Sequence, residues 1–121
     1  MRETILWQRA EGALLFAAAL ALFWLTGPAI PWWAALAAFF APDLSFAAYL
    51  AGARAGAFAY NLVHVYALGG VVYAAGAALA SPETAAVGAL LLGHSGFDRM
   101  LGYGLKTHAG FRFTHLGRIG R

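Results

Sequence analysis

The chain contains no cysteine, so neither a disulfide framework nor a thiolate metal site is open to it, and cysteine usage says nothing of its redox compartment. Charge is nearly as scarce. Asp, Glu, Lys and Arg make up 11% of the 121 residues, less than half of the roughly 25% usual in soluble chains. A chain of this length forms one domain at most. One soluble domain could not hide the 62% of residues that are hydrophobic, whereas a bilayer can. The composition therefore defines a polytopic membrane protein. A net charge of +3 alone is compatible with nucleic acid, but the placement of the basic residues points to membrane topology instead.

What is present is a series of apolar runs separated by short breaks. After a polar start that holds Arg2, Glu3, Arg9 and Glu11, Gly12–Thr26 is continuously apolar. No convincing small-x-small site precedes Trp32 and Trp33, so this run reads as a retained helix rather than a cleaved signal. Gly27–Pro31 forms a tight turn with Pro28 near its start; Pro31 suits a first helical position, and the two tryptophans suit an interfacial belt. The second run reaches about Leu50 and is interrupted at Pro42, which cannot donate to the carbonyl of Ala38 and so kinks or breaks the helix. Arg54 marks the next turn. A third run is bounded by Ser81 and Pro82, a good N-cap followed by a favoured first position. The expected spans are residues 11–27, 31–50, 56–79 and 83–103, followed by a basic tail, 104–121. The fold class is all-α: a compact antiparallel four-helix transmembrane bundle in a single domain, 1–121.

Arg2 and Arg9 precede the first helix, Arg54 lies between the second and third, and Arg99, Lys106, Arg112, Arg118 and Arg121 lie at or beyond the end of the fourth. The other two loops carry no Lys or Arg. The positive-inside rule then places both termini in the cytosol.

Five polar side chains fall within the spans: Asp43 on the second helix, Asn61 and His64 on the third, His94 and Asp98 on the fourth. Counting 1.5 Å per residue from Arg54 and Lys106 places all five roughly 10–18 Å from the cytosolic markers, in one stratum. Asn61 and His64 share a face, as do His94 and Asp98. Each such group costs roughly 2.5–3.5 kcal/mol on insertion scales, so convergence is expected. The set admits several readings. It could be polar glue between helices. It could be a site for a divalent Zn, Mn or Fe ion held by Asp43, His64, His94 and Asp98. It could be a proton or ion pathway. A bis-imidazole haem between His64 and His94 has no use for the carboxylates beside it. Asn61, Tyr103 and Thr114 are candidates to support the ligands through hydrogen bonds.

Arg99 and Lys106 are candidates to receive an anionic group, although an inner-boundary arginine also snorkels to headgroups. His115 is a candidate acid or base. The tail interleaves basic and aromatic residues and suits anionic headgroups; Thr114–Gly117 could fold back under the bundle and close the polar cavity, the alternative being a solvated tail. Gly93–Gly96 lacks the last glycine of a nucleophile elbow, and Leu101–Leu105 lacks the Thr-Val of a potassium filter. Close packing accounts for most of the small residues, Gly52 and Gly56 included, and an oligomer remains open.

Pro42–Ser45 (PDLS), Ala59–Leu68 (AYNLVHVYAL), His94–Lys106 (HSGFDRMLGYGLK) and Phe113–Gly120 (FTHLGRIG) together resemble a family of small bacterial integral membrane proteins, domain of unknown function 4260. The resemblance covers nearly the whole chain. It implies a four-span protein of unassigned activity in the bacterial inner membrane, and its pattern falls on Asp43, Asn61, His64, His94, Asp98, Arg99, Gly102, Tyr103, Gly104, Lys106, Thr114, His115 and Gly117. The family pattern has an acidic residue where Phe113 stands and a proline where Ala53 stands, so no acidic tail ligand is expected. Metal-assisted hydrolysis or group transfer on a lipid-like or phosphorylated substrate is the functional expectation, with an ion pathway and non-catalytic glue as the alternatives.

Overall fold

A computed structural model describes residues 2–27 and 29–120. Pro28, in the expected first turn, and Met1 and Arg121 lie outside the described residues. The element order is α1 (Arg2–Leu25), α2 (Trp32–Phe40), a 3-10 helix (Ala41–Ala51), α3 (Ala53–His64), α4 (Tyr66–Ala78), α5 (Pro82–Met100), then the short strands β1 (Phe113–Thr114) and β2 (Gly117–Arg118). The first helix starts well before the expected residue 11. Arg2–Glu11 contains neither Gly nor Pro, and Glu3 in the first turn complements the helix dipole, so nothing delays the helix until the apolar run.

α5 is the axis of the molecule. Its buried positions run along most of its length, from Ala85 to Arg99, because α1 lies on one side and α4 on the other. Glycines set both distances. A methyl on Gly96 would stand 2.7 Å from the Gly12 carbonyl oxygen, and one on Gly69 would stand 2.9 Å from the Gly88 carbonyl oxygen. Backbones this close gain van der Waals contact that larger side chains would prevent. The large apolar residues point the other way: Leu14, Trp24, Trp32, Leu50, Phe58 and Val71 are all exposed, an outer surface suited to lipid tails rather than water.

Two of the expected helices are interrupted. The second becomes a 3-10 helix from Ala41, with Pro42 at its start. Its threefold repeat aligns residues three apart, so Asp43, Phe46 and Tyr49 form one row. Gly52, at φ 117°, takes a corner that a side chain would strain, and α3 returns against the 3-10 helix. The third helix, expected without interruption, bends by 44° between α3 and α4. Val65 at the bend is extended (φ −77°, ψ 145°). The carbonyl of His64, deprived of its helical donor, accepts from Arg99 Nη2 at 2.7 Å.

By length and apolar composition, α1 and the run Trp32–Ala51 can each cross a membrane, and α3 with α4 makes a third crossing if the bent pair is one span. The expected set of four resolves on that criterion to two or three, because α5 carries His94, Asp98 and Arg99 within its apolar run. The tail is folded. β1 and β2 pair antiparallel, with Phe113 opposite Arg118, and Lys106 bridges Thr114. Thr114 Oγ1 donates to the Gly117 carbonyl at 2.6 Å and closes the turn.

Candidate metal centre

Asp43, His64, His94 and Asp98 meet at the centre of the fold. Their four ligand atoms lie within 4.8 Å of one another. His64 Nε2 stands 3.1 Å from His94 Nε2, 3.5 Å from Asp43 Oδ1 and 3.4 Å from Asp98 Oδ2. His94 Nε2 stands 3.1 Å from Asp43 Oδ1 and 3.6 Å from Asp98 Oδ2. Each comes from a separate local cause. Pro42 opens the 3-10 helix that delivers Asp43; the i, i+4 spacing on α5 stacks His94 above Asp98; and His64 sits at the last turn of α3, just before the bend.

Both imidazoles are fully or almost fully buried, and each is held differently. His64 Nδ1 lies 2.7 Å from the Tyr60 carbonyl. As that oxygen can only accept, Nδ1 carries the proton and Nε2 turns its lone pair to the cluster. The Tyr60 ring stacks on His64 with centroids 3.7 Å apart, and its hydroxyl donates to Asp98 Oδ2 at 3.0 Å. His94 is wedged by the edges of Phe39 and Phe40, and its Nδ1 is buried without a hydrogen-bond partner among the described residues.

These four residues can hold a metal ion. Tetrahedral bonds of 2.0–2.2 Å place ligand atoms about 3.3–3.6 Å apart, close to the five separations that involve an imidazole, while the set as a whole lies within 4.8 Å. The His64 Nε2 lone pair faces two carboxylate oxygens at 3.4–3.5 Å, an arrangement that a cation relieves.

A cavity of about 330 Å³ opens beside the cluster, lined by Asp43, Phe46, Tyr60, Asp98, Tyr103, Lys106, Phe111 and Ile119. Asp43 is 38% exposed toward it. Asn61 secures its rim: Oδ1 accepts from Lys106 N at 2.6 Å and Nδ2 donates to Lys106 O at 2.9 Å, a side-chain copy of a strand pairing. Lys106, the sole lysine of the chain, is only 5% exposed. Its Nζ lies over the Phe111 ring at 3.9 Å and the Tyr60 ring at 4.8 Å. Burial pushes its ammonium down to about 8, against the pull of the Asp98 carboxylate. A larger apolar hollow, about 790 Å³ among Phe23, Trp24, Trp32 and Leu36, lies at the other end of α1 and has no titratable group in its lining.

The remaining candidates are placed as follows. Arg99 is 3% exposed, with Nη1 on the Tyr103 carbonyl at 2.6 Å and Nη2 on the His64 carbonyl, so its fork holds backbone rather than lining the cavity. His115 Nδ1 accepts from Leu105 N at 2.8 Å, outside the cavity lining. Thr114 works within the tail hairpin. Tyr103 lines the cavity. Tyr60, Phe46 and Phe111 were not singled out by the sequence. The signals were there, in the four-residue step from Tyr60 to His64 and the three-residue step from Asp43 to Phe46.

The apolar helices near the N-terminus associate this all-helical protein with a membrane, and a His/Asp cluster able to hold a metal lies within it. More narrowly, the chain belongs to the family described as Domain of unknown function (DUF4260), whose model matches residues 5–119. No curated protein and no solved structure matches it.

Proposed function

We propose that the protein is a metal-dependent hydrolase or transferase of the bacterial inner membrane, with Asp43, His64, His94 and Asp98 holding a divalent Zn, Mn or Fe ion. The carrying observation is that the four ligand atoms lie within 4.8 Å of one another, with the five separations that involve an imidazole nitrogen between 3.1 and 3.6 Å. In this reading α3 with α4 forms one bent span and α5 another, giving four crossings with both termini cytosolic. The basic residues all fall at one end of such an arrangement, which supports it.

When bound, a divalent ion would lower the pKa of a water toward neutrality and supply a nucleophile beside the cavity. In hydrolysis the water oxygen would bond to the phosphorus or carbonyl carbon of a lipid-like or phosphorylated ester as the bond from that atom to the leaving oxygen breaks, the water's proton ending on the leaving group. Lys106 receives the anionic part of the substrate. Arg99 and His115 hold the backbone around it.

Elemental analysis of detergent-purified protein tests the reading. About one ion per chain is expected in the wild type, with loss in the His94→Ala, Asp98→Ala double variant. Sub-stoichiometric metal in both would sink it. The 3.1 Å approach of the two Nε2 atoms favours one other occupant, a shared proton. That reading expects instead metal-free protein that conducts protons into liposomes, with flux abolished by Asp43→Asn.

A further inference from the structure

We propose that the cavity beside the cluster is a subsite for the singly charged phosphodiester of an anionic phospholipid, with the Lys106 ammonium as its contact. The proposal rests on the metal reading for its charge balance and is tested apart from it.

The first observation is a buried cation that makes no direct ion pair among the described residues. The contacts of Lys106 Nζ are the faces of Tyr60 and Phe111. A lysine normally swings its ammonium to water. Here the backbone on both sides is fixed, by Asn61 through two hydrogen bonds and by the bridge to Thr114, and the side chain points into the cavity. A buried charge is costly unless it is paired, and an anion in the cavity pairs it.

The second observation is the balance of charge. A divalent ion is neutralised by Asp43 and Asp98, the only aspartates of the chain. Arg99 keeps its charge, but its N–H groups are taken by carbonyl oxygens and it does not line the cavity. Lys106 is then the one cation in the cavity lining. It matches a phosphodiester, which carries one negative charge, better than a phosphomonoester, which carries about two near neutral pH.

The third is shape and surroundings. A volume of about 330 Å³ is at the small end for ligand sites and admits a headgroup without its acyl chains. Phe46 and Phe111 stand at the rim, partly exposed, and Leu44 and Leu50 on the same 3-10 helix face outward. Acyl chains have an apolar surface to follow while the phosphate enters. A soluble phosphodiester gains nothing from that surface.

The single lysine makes the test direct. Full-length, metal-bearing protein in micelles is treated with an amine-acylating reagent, and modification of Lys106 is followed by mass spectrometry. Added phosphatidylglycerol is expected to slow acylation by about tenfold or more. Phosphatidic acid and inorganic phosphate are expected to protect far less, as is glycerophosphoglycerol at equal concentration. Failure of phosphatidylglycerol to protect overturns the subsite, and equal protection by the soluble diester overturns the lipid as source. In native mass spectrometry, Lys106→Met should keep its metal and lose the phosphatidylglycerol adduct by a similar factor; an undiminished adduct also overturns the assignment. Absence of metal from wild-type protein counts against the metal reading, whereas the acylation result bears on the subsite itself.

Discussion

Tyr60 does three things at once: its carbonyl orients His64, its ring stacks on that imidazole, and its hydroxyl holds Asp98. Partners that orient metal ligands are worth roughly 10–100-fold in affinity. Tyr60→Phe keeps the carbonyl and the stack but drops the bond to Asp98. It should therefore weaken metal binding by about that factor in chelator competition while leaving the helical circular dichroism unchanged; unchanged affinity would show that Asp98 needs no such partner. At this scale charge stood out in the sequence, whereas the aromatics showed only as spacings beside it. A His or Asp in an apolar run has to be accounted for, and counting residues from the basic markers placed Asp43, His64, His94 and Asp98 at one depth, where the structure brings them together. A tyrosine on a membrane helix carries no such penalty and passes for one more interfacial side chain.

At the scale of elements, interruptions decide what the helices can present. Pro42 announced the first one, since a missing N–H is visible in the sequence. The 44° bend at Val65 was not announced, because valine is ordinary in apolar helices and the group that caps the freed carbonyl is Arg99, 35 residues beyond His64. Arg99→Lys keeps the charge but cannot hold the His64 and Tyr103 carbonyls together. The loss should cost about 1.5–3 kcal/mol of stability, read as a lowered Tm in detergent. A variant as stable as the wild type would mean the bend holds without its guanidinium. The tail follows the same logic. Its basic and aromatic composition allowed either a solvated segment or a folded cover, and the choice rests on Asn61 pairing with a backbone 45 residues further on.

For the molecule as a whole, membrane association was legible from composition, while the number of crossings turns on how a bent pair and a helix that carries polar groups are counted. Topology is testable because the chain has no native cysteine. Single cysteines at Thr26 and Ser81 should react with an impermeant maleimide in intact cells, and cysteines at Arg54 and Arg118 only after permeabilisation. Labelling of all four from outside, or of Thr26 and Arg54 alike, contradicts four crossings with cytosolic ends.

The position of the cluster along the chain has a consequence for biogenesis. In the four-crossing reading proposed above, synthesis would deliver Asp43 and His64 to the bilayer before α5 exists, so the nascent helices would hold an unpaired carboxylate and imidazole while they wait. α5, in turn, is not among the helices that qualify as a crossing by apolar length alone. Its His94 and Asp98 are the groups that the waiting residues lack. In that same four-crossing reading, insertion of α5 would be a cooperative event, in which the polar side chains of the earlier helices supply the solvation that lipid withholds. On this account the four residues that make the site are also what draws its last helix into the membrane.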